Sequence, residues 1–156
     1  MADTSPVVVG VDGSQAARAA LRWAIDYARC VDAPVHAVAV LAQPLVAADG
    51  VTVPIPQPVW DPDLDSRFAA EAERWLAGAL PAPYADEPTP PVSLTATPGD
   101  PCDVLCEHAS TARLVVLGNP RQSALAAALT GSTAMRCLHH AECPVVLVPE
   151  AGVAEG

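Results

Sequence analysis

Five short strand-like runs, most of them apolar, alternate along this chain with segments of helical periodicity, and this alternation limits the fold more than any other feature. The runs are predicted strands: Val7–Val11, Pro34–Leu41, Val92–Ala96, Arg113–Gly118 and Pro144–Val148. Strands that are apolar throughout, such as Val7–Val11, are typical of parallel sheets, because helices cover both faces. Val92–Ala96 departs from this pattern, since it contains Ser93 and Thr95. The pattern therefore predicts an α/β fold: an open, doubly wound, five-stranded parallel sheet of order 3-2-1-4-5 with helices on both faces.

Helix signals fill the segments between these runs. Ser14 is an N-cap residue for a first helix, whose apolar face holds Ala17, Leu21, Ala24, Ile25 and Ala28. A second helix is predicted from about Pro62 to Leu80. Asp100 and Pro101 have the N-cap and first-position chemistry of a third. Gly131-Ser132-Thr133 begins a fourth, which runs to about His140.

Proline is concentrated in the middle of the chain. Of the 17 prolines, most lie between Pro44 and Pro101. Because proline removes a backbone donor, closely spaced prolines exclude interior strands and helices. Residues 42–61 are therefore predicted to be a long surface loop without an interior strand or helix. The loop is inserted in one domain, residues 6–149, with short tails at 1–5 and 150–156.

Composition excludes several classes of protein. The hydrophobic fraction of 51% is ample for one buried core, and all eight basic residues are arginine. Without lysine, Schiff-base chemistry and a phosphate-loop lysine are excluded. The net charge of −10 disfavours nucleic acid as a partner. No apolar run has the roughly 18–20 residues that a membrane-spanning helix needs, so no membrane partner is expected.

The cysteines and the N-terminal residues bear on the compartment. Five cysteines are an odd number, and no basic segment followed by an apolar stretch opens the chain. Both features predict a cytoplasmic protein with reduced thiols.

Three glycine-containing segments form the candidate ligand site. Asp12-Gly13-Ser14 follows strand one, and Gly118-Asn119-Pro120-Arg121 follows strand four. In the predicted order, these strands meet at the switch point where open parallel sheets bind ligands. Gly131-Ser132-Thr133 adds backbone N–H groups at a helix N-terminus, which suits an anion. The alternative is that the glycines only form turns and the serines only cap helices.

Together these motifs resemble the universal stress protein family of the UspA type over roughly residues 6–149. The resemblance rests on Val-Val-Val-Gly-Val-Asp-Gly-Ser at 7–14, Gly99-Asp100-Pro101, Leu117-Gly118 and Gly131-Ser132-Thr133. The run Leu-His-His-Ala-Glu-Cys-Pro-Val-Val-Leu-Val at 138–148 extends it. Each motif is short, but their order and spacing together are specific.

The resemblance implies a dimeric stress-response module that binds ATP or a related nucleotide, with Mg²⁺ accompanying ATP. It implies Asp12 and Val40 near the adenosine, Gly118 near the ribose, and phosphates held by Gly131, Ser132 and Thr133. The second glycine of the family's ATP motif is replaced here by Arg121, after Pro120. Arg121 could bind phosphate through its guanidinium. Alternatively, the chain is a UspA-like interaction protein that has lost nucleotide binding.

Catalysis and metal binding are not expected. No nucleophile has a partner that the sequence identifies, so an enzyme is not predicted, and weak ATP hydrolysis is the less favoured alternative. The segment from Cys137 to Cys143 contains two histidines but matches no standard metal-site spacing. Cys102 and Cys106 are interpreted as small packing residues on one helix face. The three tryptophans, Trp75 among them, are interpreted as core or loop anchors.

Strand five would form an edge of the predicted sheet. It is short, flat and apolar, which makes an exposed edge prone to pairing with another chain. We therefore expect a homodimer formed through this strand, by Val145, Val146, Leu147 and Val148. The family resemblance also implies such dimers.

Overall fold

A parallel five-stranded sheet with helices on both faces forms the centre of the computed structural model. The structure describes residues 4–42, 45–48, 51–54, 62–79, 88–119, 134 and 136–150. In chain order the elements are β1 (Val7–Val11), α1 (Gln15–Val31), β2 (Val35–Ala42), β3 (Leu45–Ala48), β4 (Val51–Pro54), α2 (Pro62–Ala79), β5 (Val92–Gly99), α3 (Pro101–Ala109), β6 (Leu114–Asn119) and β7 (Val145–Pro149). A further helical segment covers residues 136–140.

The strand order of the main sheet is β5-β2-β1-β6-β7. Every neighbouring pair in this sheet is parallel, with Val7 opposite both Val35 and Leu114. The predicted fold class and the order 3-2-1-4-5 are thus confirmed. Strand bounds shift by a residue or so at most ends, and β5 extends to Gly99, three residues past the predicted end. The switch point lies between β1 and β6, as expected.

Residues 42–61, predicted as a surface loop, contain two short strands that the sequence did not predict. β3 and β4 form a separate antiparallel pair, with Leu45 opposite Pro54. Both strands of a two-stranded ribbon have a free edge, so a proline at the end of β4 interrupts no interior ladder. Pro56 and Pro58 lie outside the described residues, as do the rest of 55–61.

The first and third predicted helices begin where their capping residues indicate, whereas the predicted start of the fourth at Gly131-Ser132-Thr133 lies outside the described residues. Ser14 Oγ accepts a hydrogen bond from Ala17 N at 3.1 Å, and the predicted apolar face of α1 is buried. Asp100 Oδ1 caps α3 by accepting from Cys102 N at 2.9 Å and Asp103 N at 3.1 Å. α2 is described from Pro62 to Ala79, and its predicted last residue, Leu80, lies outside the described residues. None of the helices in the described part of the chain is long and apolar enough to cross a membrane.

The core has two layers, one on each face of the sheet. Along β1, Val7 and Val9 pack with α1, whereas Val8 points to the face covered by α3. We call these the α1 layer and the α3 layer. The α1 layer also contains Ala72 of α2, with Trp75 packed against it. The alternation explains why β1 has valine at every position except Gly10.

β7 is an edge of the sheet. It pairs with β6, and in the described ranges no strand lies on its other side. Leu147 is one of the exposed large apolar side chains, at 38% exposure. The predicted edge position of the last strand is therefore confirmed, while its use in a dimer stays a prediction.

Candidate functional site

A cavity of about 300 Å³ lies at the switch point between β1 and β6. Its walls come from the carboxyl ends of β1, β2 and β6 and from the first turns of α1 and α3. Asp12, Val40 and Gly118, three of the predicted nucleotide-binding residues, all line it. The sheet topology brings them together, because the carboxyl ends of parallel strands share one edge of the sheet.

The other predicted site residues are Arg121, Gly131, Ser132 and Thr133. All four lie outside the described residues, together with Pro120. Ala134, the residue after Thr133 in the chain, lines the cavity. The predictions for these four residues are therefore untested.

The turn after β1 is fixed by its own hydrogen bonds. Asp12 Oδ1 accepts from Ser14 N at 2.9 Å, and Gly13 has a φ of +82°, which favours glycine. Ser14 then caps α1. The turn-and-cap interpretation is thus correct for these residues, yet it leaves the exposed carboxylate of Asp12 in the lining of the cavity. The structural role and the ligand role are compatible here.

Gly118 is required by the packing of β6 against α1. A Cβ at Gly118 would lie 2.5 Å from the carbonyl carbon of Ala16 and 2.6 Å from its oxygen. Such distances exclude any larger side chain unless the backbone moves. The glycine therefore lets the first turn of α1 approach the cavity, independently of any ligand.

A second cavity of about 230 Å³ adjoins the first, with Val11, Asp12 and Val40 in the lining of both. Trp75 of α2 lines this second cavity, and its buried Nε1 has no hydrogen-bond partner among the described residues. Buried indole N–H groups usually have an acceptor. Sequence reasoning treated Trp75 as an anchor and missed this donor, since nothing in the local pattern shows whether a tryptophan N–H is paired.

Charged side chains next to the first cavity pair with one another. The Arg136 guanidinium donates to both Asp100 oxygens, at 3.1 and 2.9 Å, and to Asp103 Oδ1 at 3.4 Å. These bonds from Arg136 lower the pKa of Asp100 despite the opposing effect of burial. Pro101, which follows Asp100, lines the cavity. Arg136 is therefore held by carboxylates of the first turn of α3 and its N-cap.

Comparisons with known proteins all identify the same family. The model of the Universal stress protein family matches residues 4–149. A universal stress protein of Mycolicibacterium smegmatis is 31% identical over 143 residues, covering 91% of this chain and 47% of that protein. The chain thus spans about half the length of the curated relatives it matches.

Solved structures share the fold. A protein of the universal stress protein family from Burkholderia pseudomallei is 27% identical, with a TM-score of 0.63 and coverage of 96% of this chain and 98% of that one. A universal stress protein from Archaeoglobus fulgidus in complex with dAMP is 21% identical, with a TM-score of 0.62 over 94% of this chain and 98% of that one. At that identity, the second comparison shows the fold alone.

Proposed function

This chain belongs to the universal stress protein family, and from that premise we propose that it is a cytoplasmic, non-enzymatic stress-response module that binds an adenine nucleotide between β1 and β6. One observation carries the proposal: Asp12, Val40 and Gly118 line a single cavity at the switch point of the sheet. The complex of the Archaeoglobus fulgidus protein with dAMP supports testing adenine nucleotides first.

The lining supplies groups that suit a nucleoside. Val38, Val40 and Leu117 give apolar walls against which a base can pack. The exposed carboxylate of Asp12 can accept hydrogen bonds from ribose hydroxyls. In the adjoining cavity, the N–H of Trp75, unpaired among the described residues, can donate to a ring nitrogen of the base. The adenosine part of the ligand would therefore span the two cavities.

Phosphate binding must work without lysine in a chain of net charge −10. Backbone N–H groups at a helix N-terminus and an arginine are the remaining means of holding phosphates. Gly131, Ser132, Thr133 and Arg121 are the proposed phosphate ligands. ATP with Mg²⁺ is the proposed cofactor, and AMP and dAMP are the ligands that depend least on these four residues.

Occupancy rather than turnover is the proposed mode of action. Asp12 is the one acidic or basic side chain in the described lining of the first cavity, and the hydroxyl of Ser14 is committed to capping α1. A nucleophile paired with a base is thus missing from that described lining. This supports the proposal that the protein acts by binding.

The replacement of a motif glycine by Arg121 favours a second candidate function. Glycine allows the backbone to approach a phosphate closely, and arginine at the same position does not. In this alternative, the chain has lost nucleotide binding and acts through protein contacts alone. The two candidates differ in whether the cavity is occupied.

Calorimetric titration with AMP, dAMP and ATP, with and without Mg²⁺, tests the proposal. Asp12→Asn and Trp75→Phe should each weaken binding about tenfold, the cost of about 1.4 kcal/mol for one lost hydrogen bond. Glu107→Gln and Trp23→Phe, which change residues outside both cavities, should bind as the unchanged protein does. Absence of binding at millimolar concentrations of every nucleotide would contradict the proposal and favour the second candidate instead.

Arg121→Gly then separates the two roles of that residue. Loss of ATP affinity with AMP affinity unchanged would identify Arg121 as a phosphate ligand. A gain in ATP affinity would show that it obstructs the site. Release of phosphate over many turnovers, abolished by Asp12→Asn, would contradict the non-enzymatic proposal.

A further inference from the structure

Three cysteines from two separate elements meet in the α3 layer. Cys102 and Cys106 lie one turn apart on α3, with their Sγ atoms 3.8 Å from each other. Cys137, in the helical segment 136–140, completes the group, and all three Sγ atoms lie within 4.8 Å of one another. Cys102 is 2% exposed and Cys137 1% exposed, while Cys106 is half-buried. We call this group the thiol triad.

The sulfur separations suit one shared metal ion. With metal–sulfur bonds of about 2.3 Å, sulfurs bound to the same ion lie about 3.8 Å apart in tetrahedral geometry and about 4.0 Å apart in trigonal geometry. The separation between Cys102 and Cys106 already matches this value. The Cys137 sulfur lies within 4.8 Å of the other two sulfurs. It therefore needs to move by about 1 Å at most to reach the separation of about 3.8 Å.

The surrounding donors favour an ion with three sulfur ligands. Asp100 and Asp103 lie near Cys102, but the Arg136 guanidinium is hydrogen-bonded to both carboxylates. Among the described residues, no fourth side chain has a ligand atom close enough to all three sulfurs to share one metal ion with them. Thiolate-only sites select soft ions such as Cu⁺. Zn²⁺, by contrast, is almost always four-coordinate in structural sites.

We propose that Cys102, Cys106 and Cys137 form a binding site for one Cu⁺ ion. On binding, each thiol releases its proton to solvent and its sulfur binds the metal, which gives a complex with a net charge of −2. Arg136, paired with Asp100 and Asp103, offsets part of the negative charge that these two carboxylates place next to Cys102. The site departs from the sequence-based expectation that no metal is bound.

The triad was missed because its members are distant in sequence. Cys102 and Cys106 share a helix face, but two thiols alone are ordinary packing residues. Sequence reasoning tested Cys137 against Cys143 and the histidines between them. In the structure, Cys137 instead lies beside the thiols of α3, and the Cys143 sulfur lies at the hydrogen-bonding distance of 3.6 Å from the carbonyl of Pro144.

Binding of Cu⁺ would not depend on the nucleotide. Leu105, between the two cysteines of α3, lines the cavity described above, so the triad lies behind one wall of that cavity. The sulfurs belong to the core of the α3 layer rather than to the cavity lining. Failure of nucleotide binding therefore leaves this proposal intact, and the reverse is also true.

Anaerobic titration of the full chain with Cu⁺, buffered by a chromogenic Cu⁺ chelator, tests the proposal. We expect one ion per chain, with three sulfur neighbours by X-ray absorption. Cys106→Ser and Cys137→Ser should each weaken the affinity by more than the roughly 10–100-fold that loss of an outer-shell group costs. Cys30→Ser, which changes an exposed thiol on α1, should retain the affinity of the unchanged protein.

A second measurement covers the case in which Cys137→Ser does not fold. In the unchanged protein, Cu⁺ should slow alkylation of the half-buried Cys106 at least about tenfold and leave that of Cys30 unaltered, as followed by mass spectrometry. Equal effects on the two thiols, a stoichiometry other than one, or preferential uptake of Zn²⁺ over Cu⁺ would each overturn the proposal. Unchanged affinity in Cys106→Ser would do the same.

Discussion

Gly118 in β6 lies so close to Ala16 in α1 that the backbone of Ala16 occupies the space of a side chain at residue 118. The same glycine lines the cavity at the switch point. Its presence in the family motif therefore has a packing cause as well as a proposed ligand role. A substitution at Gly118 therefore changes the packing of β6 against α1 as well as the lining of the cavity.

Gly118→Ala should destabilise the protein by about 1–3 kcal/mol, the range typical of overpacking, since its Cβ would overlap Ala16. Gly78→Ala is the matched control. Residue 78 lies in α2 with no atom within 4 Å of an added Cβ, so this change should stabilise by about 0.5–1 kcal/mol. Urea unfolding measures both, and equal effects of the two substitutions would contradict the packing argument.

Asp100 combines a helix cap with an ion pair, and two substitutions separate them. Asp100→Ala removes the oxygen that accepts from the backbone N–H groups of Cys102 and Asp103, and it should cost about 0.5–2 kcal/mol. Asp100→Asn keeps a capping oxygen and loses only the charge that pairs with Arg136, so its cost should be clearly smaller. Thermal unfolding of both variants at one pH provides the comparison, and a larger loss for Asn than for Ala would refute it.

Stability should rise with pH just below neutrality because of His36. Burial and the neighbouring His108, whose ring centroid is 4.8 Å away, lower the pKa of His36 below 6.5 in the folded state. Between the folded pKa and 6.5 the unfolded chain binds more protons, so this contribution to stability is complete above 6.5 and falls as the pH drops through this window. His36→Gln should flatten the dependence of the thermal midpoint on pH just below 6.5 relative to the unchanged protein.

Exposed His139 provides the control for this pH dependence. His139→Gln should leave the slope of midpoint against pH unaltered. The Nε2 atom of His36 also lies 2.7 Å from Thr95 Oγ1, and a glutamine at residue 36 can replace that hydrogen bond. An unchanged slope in His36→Gln would assign the pH dependence to other groups.

The exposed edge of β7 predicts how a dimer would be disrupted. Glu150 N donates to Asn119 O, so by alternation the N–H groups of Val145 and Leu147 point away from β6. Leu147→Lys places a charge on this edge and should convert the proposed homodimer to a monomer, as measured by light scattering at micromolar concentration. Because Leu147 is 38% exposed, the fold should persist by circular dichroism. A monomeric unchanged protein would remove the basis for this prediction.

The parts of the fold that the sequence could predict depend on local chemistry. The continuous apolar character of Val7–Val11 indicated a strand covered on both faces, and the structure buries it between the α1 and α3 layers. Ser14 and Asp100 indicated helix starts because capping needs only a neighbouring N–H group. The sheet order then followed from the common arrangement of doubly wound parallel sheets.

The parts that the sequence could not predict depend on tertiary neighbours. The pairing of β3 with β4 depends on whether a proline lies at a free edge, which the spacing of prolines does not reveal. The unpaired N–H of Trp75 and the approach of Cys137 to α3 both arise between elements distant in the chain. Of the features of the site, the convergence of Asp12, Val40 and Gly118 could be predicted, because the topology of a parallel sheet alone brings the strand ends together.

The two core layers differ in how firmly they should hold their helices. α1 has 17 residues with a buried face of leucine, isoleucine and alanine, whereas α3 has nine residues and buries only Cys102, Leu105 and Ala109. Less apolar area per helix lowers the free energy of local opening. Amide hydrogens in α3 should therefore exchange with solvent faster than those in α1. A ligand that binds on the α3 face should therefore first slow amide exchange in α3, before it changes the free energy of global unfolding.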